Sequence, residues 1–249
     1  MAPADPAQPV DALLEQTAAS PVLDQLGGID LLALDDDWVV AVKPAGLLSV
    51  PGRDPGQDHL LRRLAPLSGP PGSDSGGPLL VVHRLDQATS GLIVLARHKA
   101  AQADLARQFQ QREVAKRYEA VVLGQPDPPH GQVDKALLVD WPNRPRQQVN
   151  VHWGKPALTL YRSLAPWPLA QAPATRVALW PVTGRSHQLR VHMQWINHPI
   201  LGDEFYAPPA WQPGGSTAAP DRLLLHASHL ALKHPSHGGR ATWHSPAPF

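Results

Sequence analysis

The chain has no cysteine, which excludes disulfides, thiolate zinc sites and cysteine nucleophiles and gives no sign of an oxidising compartment. No apolar run approaches the ~20 residues of a membrane span. The opening Met-Ala-Pro-Ala-Asp lacks the basic stretch and apolar run of a secretory leader. These absences lead to the expectation of a cytoplasmic protein with no membrane partner. A further absence is positional: residues 1–42 contain no Lys or Arg but eight acids, so the rest of the chain carries 22 basic against 13 acidic residues. The formal charge of +1 therefore hides a strongly basic body. Such a body suits a polyanionic partner, because Lys and Arg displace counterions from phosphates. An ordinary mixed surface is the other reading of the same charges.

What is present is enough for a core, with 43% hydrophobic residues in 249. The 29 prolines and 19 glycines gather in segments that cannot be helix or strand interior. Residues 1–10 read as a disordered Ala/Pro tail, residues 66–78 as a flexible insertion and residues 207–221 as a Pro/Gly-rich loop. Short apolar or alternating segments at 38–42, 92–95, 120–123, 177–180 and 223–232 have strand length. Two stretches have helical spacing: 98–112, through Ala101, Leu105 and Phe109, and 186–197, through Leu189, Met193 and Ile196. With no regular βαβ alternation, the expected class is α+β.

Chemistry concentrates in LLVVHRLDQATSGLIVLA at 79–96, where a polar cluster separates two apolar runs and so reads as a loop between strands. That loop places Asp86 near Arg84, either as functional groups or as a turn residue and a surface ion pair. The 13 histidines raise the question of a metal. His187 and His192 are five apart on a helical stretch, and His226 and His229 three apart on a strand-like one, so neither pair shares a face and no metal site is expected. Thr89 and Ser90 lie near His83, but no G-x-S-x-G elbow is present and the spacing gives no triad. The eight tryptophans read mostly as core or sheet-edge residues. Trp141, beside Arg144 and Arg146, is a candidate for a groove that takes a polyanionic partner.

HRLDQATSG at 83–91 resembles the HRLDxxTSG signature of the RluA-type pseudouridine synthases. Further stretches resemble the same family in the expected order: VKPAGLLSVPG at 42–52, KRYEAVVLG at 116–124, GRSHQLRVHMQWINHPILGDEFYA at 184–207 and RLLLHASHLAL at 222–232. The resemblance covers residue 31 to the C-terminus and implies a mixed, mostly antiparallel sheet flanked by helices and loops. It implies isomerisation of uridine in structured RNA without a cofactor. Asp86 matches the catalytic aspartate, and Arg190 the arginine that pairs with it and favours its charged form. Tyr118 matches the tyrosine that stacks on the target uracil. Arg84 matches the arginine that fills the gap in the RNA stack when the base leaves, as it must for its glycosidic bond to be reached.

The sequence departs from many members of that family in having only residues 1–30, an acidic Ala/Pro-rich stretch, before the catalytic domain expected at 31–249. There is no room for an N-terminal S4-type RNA-binding domain, so the catalytic domain itself must select the RNA. DWPNRPRQQV, GKPALTLYR and PVTGRSHQLRVHM are most similar to members without that domain. This resemblance implies tRNA and 23S rRNA as partners, through an anticodon stem-loop and a ribosomal loop, and a monomeric enzyme. The alternative is a catalytically inactive RNA-binding or RNA-remodelling protein on the same scaffold. The presence of Asp86 argues against it, since a carboxylate repels phosphodiesters and has no use in binding alone.

Overall fold

The computed structural model describes residues 5, 7, 14, 18–68, 77–216 and 219–249, so most of the expected insertion at 66–78 lies outside the described residues. The chain divides into two compact units: residues 14–116 with 226–248, and residues 1–13 and 117–225 with Phe249.

The first unit opens with β1 (Asp24–Leu26), β2 (Ile29–Leu34) and β3 (Trp38–Lys43), an antiparallel meander. β1 thus falls inside the segment expected as tail. A short β4 (Leu80–Val81) and β5 (Ser90–Ala96) follow, and β3 pairs antiparallel with β5 from Trp38↔Ala96 to Lys43↔Gly91. All seven residues of β5 are buried, which explains why it reads as a continuous apolar run rather than an alternation. Helix α1 (Lys99–Gln110) matches the expected helical stretch to within two residues at each end. It starts where the His98 ring accepts the Ala101 N–H, and it buries Ala101 and Leu105 against Trp38, Val94 and Leu230.

The second unit is built on β6 (Ala115–Leu123), β7 (His130–Asp134), a separate hairpin of β8 (Leu137–Val139) and β9 (Gln147–Val149), then β10 (Leu158–Trp167) and β11 (Ala174–Pro181). From Arg117 onward β6 belongs here, in the antiparallel order β6-β11-β10-β7. Helix α2 (Gln188–Trp195) lies within the second expected helical stretch, but Ile196 caps its end instead of extending its face. Every residue from Gln188 to Met193 is buried, so the helix is enclosed rather than amphipathic.

The last strands, β12 (Leu225–Lys233) and β13 (Arg240–His244), return to the first unit from His226 on. There β12 runs parallel to β5, with Ala227 opposite Gly91, and antiparallel to β13. Apart from that one parallel pairing, the strand pairs within each unit are antiparallel, as expected for the α+β class.

One expectation needs correction. The Ala/Pro tail is not free at its described positions: the Asp5 carboxylate accepts from the Arg162 guanidinium, and Ala7 is fully buried with Leu160, Ala178 and Trp180. The tryptophans lie mostly as expected, with Trp38, Trp180 and Trp243 buried and Trp167 and Trp211 partly buried, while Trp141, Trp153 and Trp195 are at least half exposed. Among the described residues no helix is long and apolar enough to cross a membrane.

Candidate active site

The HRLDQATSG loop leaves β4 at Val82 and enters β5 at Ser90. Leu85 points into the core at 5% exposure, so its neighbours Arg84, exposed, and Asp86, half-buried, turn the other way. The loop is fastened to the segment after β3 by side chains within the same unit. Ser49 Oγ donates to the Leu85 carbonyl at 2.8 Å and accepts the Leu85 N–H at 3.2 Å. Lys43, fully buried, donates to the carbonyls of Pro44 (2.8 Å), Leu47 (2.7 Å) and Gln87 (3.0 Å). An ammonium has three donors and no fixed plane, so it can gather converging carbonyls that a flat guanidinium could not. Thr89 N–H then closes a turn on the Asp86 carbonyl at 3.1 Å. A carboxylate next to a loop so held is a positioned group rather than a drifting surface charge.

The glycine of the motif has a steric reason. Gly91 has φ +114°, and a Cβ there would sit 2.4 Å from the Ala227 carbonyl oxygen on β12. Only glycine permits both the backbone conformation and the approach of the parallel strand. Ser90 Oγ lies 2.9 Å from His226 Nδ1, whose Nε2 lies 3.1 Å from the Ser245 carbonyl. Ser90 and His226 are both buried, at 3% and 1% exposure, which makes this pair a strand tie rather than a nucleophile and its base. His83 accepts the Val94 N–H on Nε2 at 3.0 Å and stacks on Phe109 with ring centres 4.4 Å apart. Burial, with the Lys116 ammonium adding to it, pushes its pKa down to about 3. His83 is therefore neutral at physiological pH and serves the loop's geometry, not proton transfer.

The other two candidate residues belong to the second unit. Tyr118, half-buried on β6, is paired across the strand with Leu179 of β11. Arg190, on α2, is no surface arginine: it is 2% exposed and forks onto Asp203 with two 2.7 Å hydrogen bonds. Asp203, itself fully buried, also accepts the N–H groups of Phe205 (3.0 Å) and Tyr206 (3.1 Å). The Arg190 guanidinium lies 5.2 Å and 5.1 Å from the ring centres of those two residues. The turn that delivers Asp203 depends on Gly202, where φ is +73° and a Cβ would fall 1.9 Å from the Arg222 carbonyl oxygen. At the start of α2, His187 takes a left-handed φ of 53°, places Nδ1 2.7 Å from Tyr206 Oη and stacks on Phe205. A non-glycine residue in that region costs on the order of 1 kcal/mol, here offset by the ring contacts. His192 instead meets Thr159 Oγ1 and the Lys135 carbonyl, both at 2.9 Å, so the two helix histidines have separate partners.

Asp86 and Arg84 thus share one loop of the first unit, while Tyr118 and Arg190 are in the second. Sequence reasoning missed Lys43, Ser49, Asp203 and Tyr206. The available signals were a lysine ending an apolar strand next to a proline, and an aspartate directly after a glycine in the arginine-bearing segment.

Comparison with known proteins bears on both units. The family model described as RNA pseudouridylate synthase matches residues 37–195. The chain is 48% identical over 220 residues to the dual-specificity RNA pseudouridine synthase RluA of Escherichia coli K12, covering 88% of this chain and 93% of that protein. It is 42% identical to the protein of the same name from Haemophilus influenzae, covering 89% and 94%. Among solved structures, human RNA pseudouridylate synthase domain containing 1 aligns with a TM-score of 0.71 at 27% identity, over 91% of this chain and 86% of that one. Human RNA pseudouridylate synthase domain containing 4 gives 0.67 at 28%, over 88% of each.

Proposed function

The chain belongs to the RNA pseudouridylate synthase family and isomerises uridine to pseudouridine in RNA, and from that premise we propose that its substrates are a tRNA anticodon stem-loop and a loop of 23S ribosomal RNA. The dual-specificity name of relatives at 42–48% identity supports a pair of RNAs, as do the three runs most similar to family members without an accessory domain.

The reaction breaks the N1–C1′ bond of uridine, turns the uracil over and rejoins it through C5. The C5 proton is lost and N1 ends protonated, so the product is an isomer and no redox partner is needed. Asp86 is the essential carboxylate, suited to act at C1′ or on the sugar that carries it. Arg190 supplies positive charge that favours the ionised carboxylate. Tyr118 stacks on the uracil, and Arg84, exposed on the same loop as Asp86, occupies the place the base leaves. The observation that carries this assignment is the fastening of the HRLD loop through Lys43 and Ser49, which fixes the backbone on either side of Asp86. The protein acts in the cytoplasm as a monomer, within one catalytic domain from residue 31 on and without a metal.

The test is to incubate wild type and Asp86→Asn with each transcribed RNA, then locate pseudouridine by chemical derivatisation and primer extension. Asparagine keeps the shape and removes the charge. Product from wild type alone, with both proteins binding RNA, is the expected result. Binding without product by wild type on these and other cellular RNAs would replace the enzyme with an RNA-remodelling protein.

A further inference from the structure

The β8–β9 hairpin is fixed at its base and open at its tip. At the base, Leu137 is buried with Ala157, Val191 of α2 and Tyr206. At the tip, residues 140–146 satisfy their own backbone: Asp140 N–H donates to the Arg146 carbonyl (2.9 Å), Arg146 N–H to the Asn143 carbonyl (3.0 Å), and Asn143 Nδ2 to Asp140 Oδ2 (2.9 Å). This ordered tip presents an indole to solvent. Trp141 is 63% exposed, and the Arg144 guanidinium lies 4.4 Å from its ring centre.

A single exposed indole is ordinary on a protein surface; what sets Trp141 apart is the guanidinium held over its ring on an ordered hairpin, and the cation indicates which kind of contact it suits. Among the described residues Arg144 and Arg146 make no ion pair, so both guanidinium charges remain available to phosphate. The pattern recurs in the same unit, where Trp195, half exposed, lies under Lys135 at 5.7 Å, and Trp153 after β9 is 81% exposed. An apolar protein partner would gain nothing from uncompensated cations over the rings. An unpaired nucleobase gains from both parts, because its face stacks on indole and its phosphate meets the guanidinium.

We infer that Trp141 with Arg144 forms a stacking platform for an unpaired base of the substrate RNA other than the target uridine, and that Tyr206 positions this platform relative to Arg190. The inference rests on the RNA substrates proposed above. The link runs through contacts within one unit. Arg146 lies 5.5 Å from the Tyr206 ring centre, Gln147 N–H donates to Tyr206 Oη at 2.8 Å, and the same ring lies 5.1 Å from the Arg190 guanidinium. A base held at the tip is thereby registered to the helix that carries Arg190, so the platform acts on which RNA loop is accepted rather than on bond breaking.

The experiment uses the full chain and the tRNA anticodon stem-loop, with steady-state pseudouridine formation for wild type, Trp141→Ala, Trp141→Phe, Arg144→Ala and Tyr206→Phe. Trp141→Ala should raise KM about ten-fold, the scale of one lost base–aromatic stack, with kcat within about two-fold of wild type and the Phe variant largely restored. Replacing each loop nucleotide in turn by an abasic one should reveal a position that weakens wild type by the same factor but leaves Trp141→Ala unchanged. Tyr206→Phe should raise KM on its own and add little in the Trp141→Ala background. An unchanged KM for both Trp141→Ala and Arg144→Ala overturns the inference, as does an equal loss at every abasic position. If wild type forms no product on either RNA, the proposed function itself fails; normal product with unaffected variants removes the platform alone.

Discussion

Each unit buries one cation in its candidate region, and the two are held in opposite ways. Lys43 gathers three backbone carbonyls from two loop segments, whereas Arg190 forks onto a single carboxylate that is itself tied to two backbone N–H groups. The lysine arrangement fixes a loop, and losing it loosens main chain. The arginine arrangement fixes a side chain, and losing Asp203 removes the bidentate carboxylate that holds it. The first should therefore be felt more in rate than in stability, and the second strongly in both.

Asp203→Ala offers the largest test of that contrast, because it leaves the Arg190 charge buried without its bidentate carboxylate. A loss of about 3–5 kcal/mol is expected from denaturant unfolding, the range for breaking one partner of a buried pair. Lys43→Met keeps the volume but leaves carbonyls unmet, at a cost of about 2–3 kcal/mol, with pseudouridine formation falling much further than the melting temperature suggests. Lys43→Arg should fail to restore the rate, since a planar fork cannot follow three converging acceptors. If Lys43→Met proved more destabilising than Asp203→Ala, the contrast would be the wrong way round.

The smallest effect concerns His83, on the same loop as Asp86. Its pKa in the fold, about 3, lies below its ordinary value of 6.5, so the unfolded chain takes up a proton first as the pH falls. The stability tied to neutral His83 is complete above about pH 6.5 and drains away towards pH 3. His83→Phe should cost about 1 kcal/mol at neutral pH through the lost Val94 hydrogen bond. That gap should close as the pH falls to about 6 and change sign below it, the variant becoming the more stable protein towards pH 4.

Legibility in the sequence followed chain continuity. Strands β3, β5 and β11 announce themselves through contiguous apolar residues and the two long helices through apolar residues at helical spacing, and the motif loop is legible because polar residues interrupt two apolar runs. β10 was not recognised, since its outer half, from Leu164 to Pro166, is exposed and breaks the pattern. Arg190 was visible only by resemblance, and its carboxylate partner thirteen residues away was not visible at all, because no period links the two. Trp141 was legible through its arginine neighbours, whereas Trp153, in the turn after β9 and 81% exposed, has no such signal in the sequence.

The parallel pairing of β12 with β5 also sets an order of events during synthesis. The unit carrying Asp86 needs residues 226–248 to complete its sheet, while nearly all of the other unit lies within the uninterrupted stretch 117–225. On the ribosome the later stretch can therefore finish folding while the earlier one still waits for its last strands. β5, the strand that follows the Asp86 loop, pairs with β12 at Gly91 and Ala227, so a nascent chain halted before that strand emerges should be catalytically silent.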